Sequence, residues 1–140
     1  MAENQMSPQE SQEILSIAKN YFVKESGSVE AADEMMKKLA GIVQEQGAKL
    51  VHIGNVLFLV MVRGKGVVEF HTIGSENTPQ AFANDIVDLT KYIKNIGANL
   101  LYTYSESRIF DRIAKLTGLP IVKTETDIDG KRVFVYAVEF

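Results

Sequence analysis

The sequence predicts an α/β (α+β) fold: a mixed central sheet with helices on both faces, in the order α-α-β-β-β-α-β-α-β-β. Three observations carry this. Helical periodicity fills the chain up to Gly47, and three short apolar strands joined by glycine turns then follow between Lys49 and Thr72. Finally, the stretch from Gly66 to Gly118 reads strand, turn, helix, strand, helix. Short connections make the first three strands an antiparallel meander. A strand–helix–strand unit of the later length requires two parallel neighbours joined by a right-handed crossover. A ligand is expected near the carboxyl ends of those two parallel strands.

Each element has its own local signature. Residues 1–6 read as a frayed end. Ser7-Pro8-Gln9-Glu10 is a capping box with proline at the first helical position, and the helix it opens runs to about Val23, burying Ile14, Leu15, Ala18 and Phe22. After the turn Glu25-Ser26-Gly27-Ser28, Ser28 caps a second helix that presents Ala32, Met35, Met36, Leu39 and Val43 and stops at Gly47. Lys49 to Ile53, the turn Gly54-Asn55, and Val56 to Val62 form a hairpin. The second of these strands is apolar throughout and is expected to be covered on both faces. Arg63-Gly64-Lys65-Gly66 turns the chain into Val67 to Thr72, which breaks at Gly74.

Thr78-Pro79 opens the next helix, whose Phe82, Ile86, Leu89 and Ile93 follow 4, 3 and 4 spacing and share a buried face. Gly97 ends it, and the strand Leu100 to Tyr104 and a helix ending at Gly118 follow. Ile121 to Thr126 and Arg132 to Phe140 close the chain as a hairpin about Asp129-Gly130.

Composition narrows the function classes. At 140 residues, 46% hydrophobic and 24% charged, the chain is expected to form one soluble domain over residues 1–140, with a core that needs no staples. It has no cysteine, hence no disulfide, thiol nucleophile or cysteine-bound metal, and its two histidines, His52 and His71, suit few zinc sites. A net charge of −3 without basic runs argues against nucleic acid. The longest apolar run, Val56 to Val62, is too short to span a membrane, and nothing resembles a signal peptide, so the expected compartment is the cytoplasm.

The order of elements resembles the GNAT superfamily of N-acetyltransferases, lacking only that family's first strand. The likeness covers residues 8–140 in architecture and is specific from Val67 to Phe140. Ser107-Arg-Ile-Phe-Asp-Arg-Ile-Ala-Lys-Leu-Thr-Gly118 resembles the family's asparagine-to-glycine helix motif, and Gly97 stands where the family has a glycine before the next strand. The resemblance implies a mixed sheet whose two parallel strands splay to admit acetyl-CoA, with the cofactor's pyrophosphate at the turn and helix that follow the first of them. By that alignment Thr72, Ile73, Gly74, Ser75, Asn77 and Thr78, with Ser107 and Arg108 beyond the second strand, are the expected cofactor contacts. The turn departs from the family pattern: it holds one glycine, Glu76 would repel a pyrophosphate, and Pro79 removes an amide donor. Aligning on Gly118 also puts Ser107 in place of asparagine, and Ala114 in place of the tyrosine that serves many members as general acid.

The residues themselves offer a second reading of the site. Glu69 and His71 are two apart on one strand and therefore point to one face. On a central strand they either line a cleft or form a buried structural pair. The resemblance makes Glu69 the first candidate base and His71 the second, and histidine is also a competent base on its own account. Tyr102 and Tyr104 share a face of the next strand, and either is a candidate proton donor if it is not packing alone. Arg108 and Arg112 are expected on one helix face, within reach of an anion. His52 alternates with apolar neighbours on an outer strand and reads as structural. No metal-ligand spacing is present.

Two functions stay open at this stage. One is acetyl transfer from acetyl-CoA to a small-molecule or peptide amine, with Glu69, His71 and Tyr104 as catalytic candidates. The other is a non-catalytic domain of the same fold, of the kind found in small phage and virion-associated proteins, which binds a protein partner or another copy of itself. In that case the missing first strand leaves a sheet edge for a partner strand.

Overall fold

The computed structural model describes residues 8–54, 56–75 and 78–140. Its elements follow the expected order: α1 (Pro8–Ser26), α2 (Val29–Gln46), β1 (Lys49–Ile53), β2 (Val56–Gly64), β3 (Val67–Ser75), α3 (Pro79–Asn95), β4 (Leu100–Ser105), α4 (Phe110–Leu116), β5 (Val122–Ile128) and β6 (Lys131–Glu139). The six strands form one sheet in the order β1-β2-β3-β4-β6-β5. Only β3 and β4 run parallel; every other neighbouring pair is antiparallel. Ser7, Asn55, Glu76 and Asn77 lie outside the described residues.

The local signals work as the chemistry requires. Ser28 Oγ accepts from the amide of Ala31 at 3.1 Å and caps α2, which ends on left-handed Gly47 at φ 63°. Thr78 Oγ1 accepts from the amide of Ala81 at 3.3 Å and caps α3, with Pro79 in its first turn. Gly66, at φ 76°, lets the chain turn into β3, and its carbonyl accepts from the amides of Asn99 and Leu100 at 2.7 and 3.0 Å. The start of β4 is thereby fastened to the start of β3.

Strand β2 divides the core between two layers. Val56, Phe58 and Val60 face α3 and α4, where they meet Phe70, Ile86, Leu89, Ile93 and Leu101. Leu57, Leu59 and Met61 face α1 and α2, against Ala18, Phe22, Ala32 and Leu39. All six β2 side chains are at most 7% exposed, which explains the unbroken apolar run. A Phe58 with no exposed surface contributes ~2–3 kcal/mol by burial alone.

Four expectations need correction. Helix α1 continues to Ser26, three residues past Val23, because Ser26 Oγ bonds the Phe22 carbonyl at 2.7 Å and left-handed Gly27 then stops it. Leu15 is 47% exposed: α1 packs through Ala18 and Phe22, and the stripe it buries is narrower than its apolar content. Val62 is 65% exposed because a bulge between Val62 and Gly64 carries the end of β2 beyond helix cover. Strand β3 does not break at Gly74; it pairs with β2 as far as Ser75.

Candidate active site

The site lies where β3 and β4 part. Their parallel ladder holds three pairs, Val67↔Leu100, Val68↔Leu101 and Glu69↔Tyr102. Beyond it, β3 runs on to Ser75 and β4 to Ser105 without pairing to each other. Each strand keeps its outer partner, β2 or β6, so the fork is bounded by two backbone edges that, among the described residues, do not pair with each other beyond Glu69 and Tyr102.

Alternation places Glu69 and His71 of β3, and Tyr102 and Tyr104 of β4, on the face that carries α1 and α2, while Val68, Phe70 and Leu101 enter the opposite core. Three of the four side chains meet at one carboxylate. Glu69, whose side chain is 5% exposed, accepts from Tyr102 Oη at 2.7 Å and from Arg63 Nε at 3.0 Å through Oε1. Its Oε2 lies 2.5 Å from His71 Nε2. The fourth, Tyr104, sits edge-on to the His71 ring with centroids 4.9 Å apart. It is part-exposed, and among the described residues its hydroxyl has no hydrogen-bond partner.

Electrostatics follow from these contacts. Burial pushes the Glu69 carboxyl up, but hydrogen bonds from His71, Tyr102 and Arg63 together outweigh it and hold it below the ordinary glutamate value. Tyr102 is pushed up to about 12, by burial first and by its bond to the Glu69 carboxylate second. The Arg63 guanidinium is held above its ordinary value by the same carboxylate. The cluster thus contains a fixed anion, a fixed cation, and a histidine whose ring is oriented by a carboxylate.

The structure therefore brings together Glu69, His71, Tyr102 and Tyr104 and adds Arg63. Arg63 reads as a turn residue in the sequence; the bulge extends β2 through it and turns its side chain to Glu69. The expected cofactor contacts are placed around the fork. Thr72 and Ile73 lie on the free stretch of β3, and Gly74 and Ser75 at its end. Thr78 spends its side chain on the α3 cap. Ser107 Oγ accepts from the Ile109 amide at 3.1 Å in the turn after β4. Arg108 precedes α4 and so shares no helix face with Arg112; its guanidinium lies over the Phe134 ring, 5.4 Å from the centroid. On that side of the sheet Asp111 accepts from Tyr136 and Lys123, at 2.5 and 3.0 Å, bonds that lower its carboxyl. Among the described residues no His/Cys/Asp/Glu group could hold a metal, and no helix is long and apolar enough to cross a membrane.

No protein-family model and no curated protein sequence match the chain. Solved structures do. A protein described as a GNAT-family acetyltransferase from Desulfovibrio desulfuricans superposes with a TM-score of 0.60 at 13% identity, over 96% of this chain and 95% of its own. A variant of a spermidine N-acetyltransferase from Vibrio cholerae gives 0.55 at 15% identity, over 79% and 76%. Likeness at this identity establishes architecture: the chain has the GNAT fold, a six-stranded mixed sheet with its two central parallel strands splayed.

Proposed function

We propose that the protein transfers an acetyl group from acetyl-CoA to an amine, with His71 as the base. The observation that carries this reading is the pairing of an oriented histidine with a fork in the sheet. The Glu69 carboxylate engages His71 Nε2, and among the described residues Nδ1 has no hydrogen-bond partner. His71 accepts the proton that an amine must shed to become nucleophilic. Glu69, with a lowered carboxyl and a side chain only 5% exposed, is in this reading a positioning residue, which reverses the order in which the sequence ranks the two.

The fork suits acetyl-CoA on one specific ground. The cofactor carries a linear arm with amide groups, and beyond Glu69 and Tyr102 the two strands offer free backbone donors and acceptors to such an arm. Thr72 and Ile73 on β3 would line it, and the amino end of α3 behind Thr78 would favour the phosphates. When bound, the cofactor supplies an acetyl group activated as a thioester. Tyr104 Oη, free of any described protein acceptor, holds a proton next to His71 for the departing group.

The test is steady-state release of free CoA thiol from acetyl-CoA in the presence of a panel of primary amines. Amine-dependent release that His71→Ala abolishes supports the reading. Release that is independent of amine, or unchanged in that variant, removes it. Domains of this fold without activity are the second reading, favoured by Gly74 as the single glycine near the end of β3 and by Pro79, which opens α3 without an amide donor.

A further inference from the structure

We infer that the acceptor is an amine carrying a carboxylate a few bonds away, and that Arg63 binds that carboxylate; the inference rests on the acetyl-transfer reading above. The argument starts from what Glu69 cannot do. A carboxylate is the usual counter-charge for an ammonium group, but Glu69 already engages Arg63 and Tyr102 at Oε1 and His71 at Oε2, three of about four acceptor sites, and its side chain is only 5% exposed. No second carboxylate contacts this cluster among the described residues. A polyamine would therefore bring a second positive charge to a site that offers it none in return.

The charge the site does offer is a cation. Arg63 is spent only on its side edge, where Nε donates to Glu69 at 3.0 Å and Nη2 lies 3.3 Å from the Met61 sulfur, a weak acceptor. Its other terminal nitrogen, Nη1, has no protein partner among the described residues, and the side chain is 38% exposed. The end of a guanidinium fork matches a carboxylate in two parallel hydrogen bonds. Arg63 Nε and His71 Nε2 meet the two oxygens of one carboxyl group, at 3.0 and 2.5 Å, so the two side chains border the same small cluster. A small amino acid, or the end of a small peptide, is the simplest molecule that presents an amine to His71 and an anion to Arg63.

The test is a titration that needs no acetyl donor. The chain has two histidines, so a His52→Asn sample assigns the ring signals of His71 in an NMR spectrum. Wild-type protein is titrated with β-alanine, propanolamine and propanediamine, which share one backbone length and differ in the terminal group. β-Alanine is expected to shift the His71 signals saturably and to bind at least ~10-fold more tightly than the other two, the worth of about one charge-assisted hydrogen bond. Arg63→Gln is expected to erase that preference, and Arg63→Lys to keep part of it. Equal or tighter binding of propanediamine or propanolamine, no response to β-alanine, or a preference that survives Arg63→Gln would each overturn the inference. The wild-type series decides even if an Arg63 variant does not fold. Calorimetry of acetyl-CoA on the same sample reports separately on the acetyl-transfer reading.

Discussion

The hydroxyl of Tyr102 donates to Glu69 Oε1 at 2.7 Å across the last rung of the β3–β4 ladder, just below the point where the two strands separate. This bond fastens the base of the fork and turns Glu69 toward the cluster. Tyr102→Phe should therefore cost ~1–3 kcal/mol, the worth of a hydrogen bond to a charged group, in a denaturant melt. The pH dependence has a definite sign. Folding raises Tyr102 from 10.0 to about 12, so it favours the protonated phenol. The stabilisation is complete below pH 10.0, declines as pH rises toward about 12, and should be missing in Tyr102→Phe.

Glu69 acts at the other end of the scale. Its carboxyl is lowered by folding, so it favours the carboxylate; that stability is present above the ordinary glutamate value and is lost as pH falls through the lower, folded value. Glu69→Gln removes the charge and leaves Arg63 without its counter-ion. The variant should be less stable at neutral pH and should lose less on acidification than the wild type, a comparison made from melts across the acid range. An acid limb identical to that of the wild type would show that Glu69 contributes nothing to it.

In catalysis, His71 and Tyr104 should separate from Tyr102. His71→Ala and Tyr104→Phe are each expected to lower kcat by ~10²-fold or more, with acetyl-CoA affinity retained. Tyr104→Phe should barely change the melting temperature, because its hydroxyl has no hydrogen-bond partner among the described residues.

Core substitutions test the layer assignment. Phe58→Ala empties a fully buried site between β2, Phe70 and α3 and should cost ~3–5 kcal/mol. Leu15→Ala, at a side chain 47% exposed, should fall within ~0.5 kcal/mol of wild type. Gly66→Ala combines φ 76° with a Cβ that would land on the Asn99 side chain, and should destabilise by more than 1 kcal/mol by parting the starts of β3 and β4. Chemical denaturation ranks the three.

The architecture was legible because its signals are local. Ser28, Gly47 and Thr78-Pro79 set helix ends through their own hydrogen bonds and dihedrals, and a two-residue period places Glu69 with His71, and Tyr102 with Tyr104, whatever surrounds them. The site was legible only in part, because Arg63 joins it through a bulge, and a sequence of arginine between valine and glycine shows no face at all. Leu15 and Val62 misled for a related reason: apolar character marks a residue able to be buried, while the reach of the neighbouring element decides whether it is. The ranking of Glu69 over His71 as base came from the family resemblance. The bonds that bury Glu69 in the cluster are partly long-range, since Tyr102 lies 33 residues away.

The most direct measurement is calorimetric titration of the full chain with acetyl-CoA, repeated on a variant in which a bulky residue replaces Gly74. The predicted result is saturable binding in the micromolar range that weakens in the variant, together with a thermal shift that grows with ligand concentration. No heat of binding and no shift up to millimolar acetyl-CoA would contradict acetyl transfer and leave the fold in service of a protein partner.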